Sequence, residues 1–377
     1  GQDSGEESII VNASTPTAMI MAGGTGGHVY PGLAVAEDLR AKGWHVSWIG
    51  TSRGLEASVV PANNFTLYTL KTLGLRGKGL MSKIKGLLTL VLASAQAFIL
   101  LAQKRPNMVI GFGGYAAGPA GAVAKVLGIP LLIHEQNAVA GTTNRLLAKH
   151  ARRVMAGFDG AFLRDINVSV TGNPLRAAFS GLPNKCYPDT HFEHSRCLRV
   201  AILGGSQGAQ ALNAGCPAAF ASLPDDALSR IEVRHQCGKA HQIPTEAAWK
   251  EVAVSRIEVM PFVDDMPALY AWADVAICRA GALTVSELAV TATPSILVPL
   301  PQAIDDHQQK NAEALSKVGG AVIVPQAELA GDHLPTFIVE ILGDATRLER
   351  MSEQAQCWSK PDATQQVVAI AQEVVCG

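Results

Sequence analysis

The sequence lacks several features that mark common classes of protein. Its seven cysteines are odd in number and show no C-x-x-C spacing, which excludes a disulfide framework and a zinc site and indicates reduced, cytosolic thiols. Neither charge dominates, with 31 Lys and Arg against 32 Asp and Glu, which argues against a general nucleic-acid binder. Residues 1–17 have no basic start and no long apolar run, so we expect a flexible tail, neither signal peptide nor anchor.

Acidic residues are missing from one long internal stretch, between Ala57 and His134, where we expect a positively charged face. Within it, Leu87 to Ala102 is apolar but short for a membrane span of about 20 residues. Basic residues flank this run, which favours binding at an anionic membrane interface, with an ordinary buried helix as the alternative. The expected membrane contacts are Leu75, Arg76, Lys78, Leu80, Lys83 and Lys85.

The remaining pattern is that of an α/β protein. A chain of 377 residues, 48% of them hydrophobic, exceeds one ordinary core and fits two domains. Short β-rich runs alternate with helical segments, which is typical of parallel sheets with crossover helices. Strands are predicted near Met19, Val46, Phe65, Val109, Leu132, Val170, Ala201, Val233, Val259, Val275, Ile296 and Val322. We predict a first domain over 18–172, a linker over 173–198, a second domain over 199–346, and C-terminal helices over 347–377 that pack on the first domain.

Two glycine-rich turns each follow an apolar strand and each open a helix. They are Gly23-Gly24-Thr25-Gly26-Gly27-His28 and Gly204-Gly205-Ser206-Gln207-Gly208. The first has Val29 where a dinucleotide fingerprint has its third glycine, and neither has the Lys-Ser/Thr of a P-loop, so NAD and nucleotide triphosphates are disfavoured. Backbone N–H groups at such helix starts attract an anion. The alternative is that the glycines serve only tight turns.

Four side chains near these turns and in the second half are candidates for chemistry. A neutral His28 can accept a proton, or can merely hydrogen-bond across its turn. Glu287 can accept two hydrogen bonds from a ribose diol, although Thr284-x-x-Glu287 is also a capping box, which the residues alone favour slightly. Gln308 and Asn311 share one face of a predicted helix and can bind sugar hydroxyls, or can lie on a solvated face.

Eight segments in order resemble the MurG family of bacterial enzymes, which make the last cytoplasmic peptidoglycan precursor. The resemblance runs from about Met19 to the C-terminus. The segments are GGTGGHVYPGLAVA, GLRGKG, GFGGYAAGP, HEQNAVAGTTNRLLA, TGNPLR, GGSQGAQALN, FVDDMPALYAWADVAICRAGALTVSELA and DDHQQKNA.

The resemblance implies a GT-B glycosyltransferase fold, two Rossmann-like domains whose parallel sheets face a cleft. It implies an inverting transfer of N-acetylglucosamine from UDP-N-acetylglucosamine to the muramoyl 4-hydroxyl of lipid I (undecaprenyl-diphospho-muramoyl-pentapeptide), forming lipid II. The enzyme would be peripheral on the cytoplasmic face of the inner membrane, alongside cell-wall synthesis proteins. No metal or other cofactor need be assumed, and the donor segment has no D-x-D motif.

Site residues follow from the same resemblance, position by position. The backbone around Val263 would hold uracil, Glu287 the ribose, and Ser206 with Gln207 the diphosphate. The remaining implied donor contacts are Thr25, Gly26, Gly27, Arg176, Arg279, Ala280, Gln308 and Asn311. The implied acceptor residues are Thr25, His28, Tyr115 and Asn137, with His28 as the candidate catalytic base. Some relatives carry another residue where His307 stands, so His307 is left out of the sugar contacts.

Two other functions stay open at this point. A UDP-N-acetylglucosamine 2-epimerase could use a similar donor cleft, but it would have no need for a basic apolar face. A non-catalytic nucleotide-sugar-binding subunit would bind the donor without transferring it.

Overall fold

The structure is a computed structural model that describes residues 15–71, 80–205, 207–301 and 306–376, with residues 80–85 described by their backbone alone. Ser206 and three of the expected membrane contacts, Leu75, Arg76 and Lys78, lie outside the described residues. The backbone positions of Leu80, Lys83 and Lys85 fall within the first turns of a long helix.

The first half of the chain forms a parallel sheet of seven strands. They are β1 (Thr17–Ala22), β2 (His45–Gly50), β3 (Thr66–Thr69), β4 (Met108–Gly113), β5 (Leu131–Glu135), β6 (Arg153–Ala156) and β7 (Val168–Val170). Their spatial order is β3-β2-β1-β4-β5-β6-β7. The helices are α1 (Gly26–Ala41), α2 (Glu56–Ala62), α3 (Leu80–Lys104), α4 (Ala117–Val126) and α5 (Thr142–Ala148). The order reverses between β1 and β4, where open α/β sheets bind ligands at their carboxyl ends.

The second half repeats this plan with six parallel strands. They are β8 (Leu198–Leu203), β9 (Ile231–Gln236), β10 (Arg256–Met260), β11 (Val275–Cys278), β12 (Ser295–Leu297) and β13 (Ala321–Ile323), in the order β10-β9-β8-β11-β12-β13. The helices are α6 (Gln210–Ala221), α7 (Asp225–Leu228), α8 (Gln242–Lys250), α9 (Met266–Trp272), α10 (Ala282–Val290), α11 (His307–Lys317), α12 (His333–Gly343), α13 (Thr346–Trp358) and α14 (Ala363–Cys376). The expected α/β class with two parallel sheets is confirmed.

The central strands of both sheets, β1, β4, β8 and β11, are buried on both faces, which explains why they are nearly continuous apolar runs. In β1, Ile20 and Ala22 point into a core under α1 and α14, whereas Met19 and Met21 point into a core under α3 and α4. Side chains of a strand alternate between faces, so a strand covered on both sides must be apolar throughout. The twelve predicted strands are confirmed, and β6 was missed.

The two C-terminal helices pack on different domains. Leu348 and Met351 of α13 are buried in the core of the second domain, whereas Val367 and Ala371 of α14 are buried against α1 in the first. The chain therefore passes between domains twice, and the two passages touch at Gly172. A Cβ atom there would lie 2.3 Å from the Cβ of Lys360, and Gly172 has φ +82°, so only glycine fits without strain.

Helix α3 lies on the outside of the first domain. Its buried residues Ala93, Ala97 and Leu101 pack on the core shared with α4, while its outer side exposes large apolar side chains. These are Leu87, Leu88, Leu90, Val91, Leu92, Phe98 and Ile99. By length and composition alone, the segment Gly86–Lys104 of α3 is long enough to cross a membrane. The apolar run Leu87–Ala102, which was expected to be too short for a span, is only part of this segment.

Candidate donor and acceptor site

A cavity of about 300 Å³ lies between the domains, at the carboxyl ends of strands β8 and β11. Its walls include Tyr30 of α1, Arg176 and Phe179 of the connecting segment, and Gly205, Gln236, Val263, Arg279 and Glu287 of the second domain. Four residues expected to bind the donor, Arg176, Val263, Arg279 and Glu287, are thus brought together. The guanidinium of Arg176 lies 5.8 Å from the ring centre of Tyr30 and 5.3 Å from that of Phe179. Arg176 of the connecting segment therefore makes a cation–π contact with Tyr30 of the first domain at the cavity wall.

Glu287 faces this cavity from α10. Its Oε2 accepts a hydrogen bond from the Tyr270 hydroxyl at 3.3 Å. Burial raises the pKa of the Glu287 carboxyl to about 7, against smaller lowering effects of Arg176 and Tyr270. The capping-box interpretation is wrong, because α10 begins at Ala282 after an N-cap at Gly281, which leaves Thr284 inside the helix. The Glu287 carboxyl is therefore a buried hydrogen-bond acceptor that lines the cavity.

The second glycine turn is held by neighbouring backbone and by one amide. Gly204 N donates to Gln236 Oε1 at 3.1 Å, and Gln236 Nε2 donates to Gly205 O at 2.8 Å. Gly208 has φ +79°, and a Cβ atom there would lie 2.0 Å from the carbonyl oxygen of Cys237. The turn leads into the start of α6, and Gln207 is exposed on it. The described residues of this turn carry no charged side chain and precede a helix N-terminus, the arrangement that attracts anions.

The first glycine turn is different because a carboxylate is buried behind it. Glu56 Oε2 accepts from Gly24 N at 2.9 Å, and Glu56 Oε1 accepts from the Thr51 backbone and hydroxyl, both at 2.8 Å. Three glycines make room for this side chain: Gly23, Gly50 and Gly54. A buried negative charge repels anions, so the first turn is a less favourable anion site than the second. The two turns are alike in sequence but not in electrostatics.

His28 lies in the first turn of α1, against β4. Its Nδ1 is 3.0 Å from Gln136 Oε1. Gly113, with φ +110°, leaves room for the ring, since a Cβ atom there would lie 2.9 Å from His28 Nδ1. Thr25 is the N-cap of α1, and Gly26 and Gly27 are its first residues. Tyr115, 40% exposed, follows the Gly114 that packs on Gly23, so these expected acceptor residues share one edge of the first sheet.

Asn311 joins the two domains. Its Nδ2 donates to Asn137 Oδ1 at 3.2 Å and to Ala280 O at 3.1 Å, and its Oδ1 accepts from Ala138 N at 2.8 Å. Gln308 Oε1 accepts from Ala280 N at 3.3 Å. Expected sugar contacts of the second domain thus meet an expected acceptor residue of the first, and Asn311 is fully buried between them.

Arg279 is anchored beside the cavity. Its guanidinium donates to Val298 O at 3.2 Å and to Gln326 Oε1 at 2.7 Å. Burial lowers its pKa. Within the described ranges, no group of three or more His, Cys, Asp or Glu is placed to hold a metal ion.

Comparison with known proteins identifies the family. Residues 18–156 match the glycosyltransferase family 28 N-terminal domain, and residues 199–367 match the family 28 C-terminal domain. The UDP-N-acetylglucosamine--N-acetylmuramyl-(pentapeptide) pyrophosphoryl-undecaprenol N-acetylglucosamine transferase of Tolumonas auensis is 45% identical over 94% of this chain and 98% of its own length. The identically named protein of Stutzerimonas stutzeri is 48% identical over 95% and 99%. The crystal structure of Acinetobacter baumannii MurG has a TM-score of 0.79 and 36% identity, covering 95% of this chain and 99% of that one.

The chain belongs to the MurG family of glycosyltransferases. The resemblance carried by the eight segments is therefore confirmed. A structure of a putative UDP-N-acetylglucosamine 2-epimerase from Listeria monocytogenes also superimposes, with a TM-score of 0.64 at 12% identity and 96% coverage of each chain. At that identity the likeness shows the shared fold alone.

Several residues of this MurG-family site were missed from the sequence. Gln136 and Gln236 each end up beside a glycine turn, and Asn173 Nδ2 links the domains by donating to Gln136 O and Ser286 Oγ, both at 3.0 Å. Tyr270 orients Glu287. The available signal was position: Gln136 and Gln236 each come directly after or at the end of a buried strand, where parallel sheets place functional side chains.

Proposed function

We propose that this chain transfers N-acetylglucosamine from UDP-N-acetylglucosamine to the muramoyl 4-hydroxyl of lipid I, forming lipid II with inversion. The observation that carries the proposal is the interdomain cavity, with Glu287, Arg279 and Val263 on its walls, in a chain whose relatives are named as this transferase over nearly their full length. We assign the acceptor to residues 18–172 and the donor to residues 199–346.

For the donor, we place uracil at the backbone near Val263 and the ribose diol at Glu287. The diphosphate lies at the turn that contains Ser206 and Gln207, a location supported by the neutral surroundings of that turn and the buried carboxylate of the other. Arg176 and Arg279 supply positive charge nearby.

We place the N-acetylglucosamine of the donor at the domain boundary. Gln308 and Asn311 bind its hydroxyls, and the backbone near Ala280 binds its 4-hydroxyl. The side-chain amide of Asn311 hydrogen-bonds to Asn137 and Ala138 in the structure, and it exchanges these hydrogen bonds for bonds to the sugar when the donor enters.

For the acceptor, His28 takes the proton of the muramoyl 4-hydroxyl while the oxygen attacks the anomeric carbon. The bond from that carbon to the diphosphate breaks on the opposite face, and UDP leaves with the electron pair. Thr25, Tyr115 and Asn137 hold the acceptor. Alignment of the two substrates and stabilisation of the leaving diphosphate at helix N-termini each contribute several kcal/mol, of the order of 3 to 10.

The test of the proposal is label transfer. The protein is given UDP-N-acetylglucosamine labelled in the sugar, with and without a muramoyl-diphospho-polyprenol. We expect label in the lipid when the acceptor is present. Labelled N-acetylmannosamine or free UDP without acceptor would instead support an epimerase, and donor binding without transfer would support a binding subunit; either result contradicts the proposal.

We propose further that the first domain binds the cytoplasmic face of the bacterial inner membrane as a peripheral protein. The exposed apolar side of α3 supports this location, together with the basic residues of the acid-free stretch that contains Leu75, Arg76, Lys78, Leu80, Lys83 and Lys85. A lipid-linked acceptor requires such a surface beside the cleft.

We expect the protein to bind vesicles that contain anionic lipid more tightly than neutral vesicles, with a difference that shrinks as salt rises. Ile99→Ser should weaken this binding by about tenfold, because it removes a large apolar side chain that is 58% exposed on α3. Ile243→Ser, an exposed isoleucine of the second domain, is the matched control and should bind as the wild type does. Co-sedimentation measures both; equal loss in both variants, or no vesicle binding at any salt concentration, would refute this location.

A further inference from the structure

A chain of hydrogen bonds runs from His28 into the interior of the first domain, and its direction is fixed at the far end. His134 is fully buried, and its Nε2 lies 2.9 Å from the carbonyl oxygen of Gly172. A carbonyl oxygen only accepts hydrogen bonds, so Nε2 of His134 carries a hydrogen. Burial lowers the pKa of His134 to about 4, which leaves the ring neutral near pH 7 and its Nδ1 an acceptor.

The orientation of Gln136 follows from the same rule. Its amide nitrogen lies 2.9 Å from the carbonyl oxygen of His134 and 3.2 Å from His134 Nδ1, and both of these atoms accept. Two independent acceptors therefore place the NH₂ group of Gln136 on this side. The amide oxygen must point the other way, and it lies 3.0 Å from His28 Nδ1.

The last bond determines the proton position on His28. An amide oxygen cannot donate, so the hydrogen between Gln136 Oε1 and His28 Nδ1 belongs to His28. A neutral imidazole has one N–H, and the lone pair is therefore on Nε2. The ring is also held in place from the side of β4, because Gly113 allows it to approach the backbone more closely than any side chain would permit.

We propose that Gln136 is a positioning residue that holds His28 in the Nδ1–H tautomer and so makes Nε2 the atom that accepts the proton of the acceptor hydroxyl. The part of this inference that concerns catalysis rests on the proposed function. Gln136 is 1% exposed and acts through His28, with no contact of its own to substrate. When Nε2 takes the proton, His28 becomes an imidazolium, and its Nδ1–H stays bonded to Gln136 Oε1. No proton moves along the chain, because Gln136 already uses its own N–H groups toward His134.

An amide in this position differs from the carboxylate that orients the imidazole in a Ser-His-Asp triad. It fixes the tautomer by accepting one hydrogen bond but adds no negative charge. A carboxylate beside His28 would stabilise the imidazolium and would also repel an anionic substrate group at the first glycine turn, where Glu56 already contributes a buried carboxylate. Gln136 connects His28 to the buried, neutral His134 without adding a second negative charge beside this turn.

The tautomer can be measured without substrate or turnover. Nitrogen and carbon chemical shifts of histidine-labelled full-length protein distinguish Nδ1–H from Nε2–H rings, and the His28 signals are assigned by their loss in His28→Ala. We expect neutral His28 as the Nδ1–H form and His134 as the Nε2–H form. A neutral His28 with its hydrogen on Nε2 overturns the proposal, whatever the enzyme's activity.

The role of Gln136 is tested with Gln136→Met, which keeps the length of the side chain but removes its hydrogen-bonding groups. We expect loss of the fixed Nδ1–H form and a kcat lower by roughly 10- to 100-fold, less than a general base itself contributes. Donor affinity should stay within about twofold, because Gln136 does not line the cavity assigned to the donor, which is formed mainly by the second domain. Gln365→Met, an exposed glutamine of α14, is the matched control and should leave kcat unchanged.

The outcomes separate the two proposals. An unchanged kcat in Gln136→Met overturns the positioning role. A wild type with the Nδ1–H tautomer but no transfer to lipid I overturns the proposed function and leaves the tautomer assignment standing. If Gln136→Met does not fold, the measurement on the wild-type protein still decides the tautomer.

Discussion

Replacing His28 with alanine is expected to lower kcat for transfer to lipid I by about 10²- to 10⁴-fold, the contribution of a general base. The affinity for UDP-N-acetylglucosamine should stay within about twofold, because His28 does not line the cavity assigned to the donor, whose walls come mainly from the second domain. In the proposed mechanism the His28 imidazole takes the proton of the acceptor hydroxyl as the new glycosidic bond forms, so loss of the imidazole acts on the chemical step. Initial rates at saturating donor, together with calorimetric titration of the donor, measure the two quantities separately.

The matched control for this variant is His45→Ala. His45 is an exposed histidine of the same domain, but it lies at the start of β2, at the opposite edge of the sheet from His28. It should retain full turnover. Unaltered turnover in His28→Ala would remove His28 from the role of base and would point to a water or another side chain of the first domain.

Glu287→Gln is expected to weaken binding of UDP-N-acetylglucosamine at pH 8 by about 10- to 100-fold. A hydrogen bond to a charged group contributes about 1.5–3 kcal/mol, and the amide removes that charge from the ribose diol. The side chain keeps its size and can still pair with Tyr270, so the cavity should be preserved. Calorimetric titration of the donor at fixed salt measures the effect.

The same carboxyl predicts how donor binding depends on pH. Its pKa is raised by burial to about 7, so below that pH the donor-free protein holds a proton there that ribose binding must displace. Wild-type affinity should therefore fall as pH falls, by up to about tenfold from pH 8 to pH 6, with proton release on binding. Glu287→Gln should show no such dependence, and Glu313→Gln, a partly exposed carboxylate of α11 that pairs with Lys310, should behave as wild type. Identical pH profiles in wild type and Glu287→Gln would exclude Glu287 as the ribose acceptor.

The sequence was a good guide to the fold because the signals were local. Strands buried on both faces are continuous apolar runs, and glycine turns mark where β1 and β8 pass into helices, so both domains could be recognised. Strand β6, Arg153–Ala156, was missed because four residues that begin with an exposed arginine carry little pattern of their own. Its pairing with β5 and β7 is a property of the assembled sheet.

The site was harder to predict because its decisive contacts join distant parts of the chain. The residues alone slightly favoured a helix cap over ribose binding for Glu287, because the spacing to Thr284 fits a capping box. The start of α10 at Ala282 rules out the cap, and the cavity lining shows where the carboxyl lies. The position of Gln136 after a buried strand was a signal, but nothing near it in the sequence indicated its partner His28, which is 108 residues away. Likewise, the similarity of the two glycine turns hid Glu56, which lies behind just one of them.

Glu56 has a consequence for how this region can vary. One carboxylate fills the space beside Gly23, which follows β1, and beside Gly50 and Gly54, which lie at and just after the end of β2. A methyl group at any of these positions must displace the Glu56 carboxylate. Once the carboxylate has moved, it no longer blocks a methyl group at the other two positions. Substitutions at the three glycines are therefore not additive. The first one carries most of the loss of stability, and each later one costs less when the first is already present.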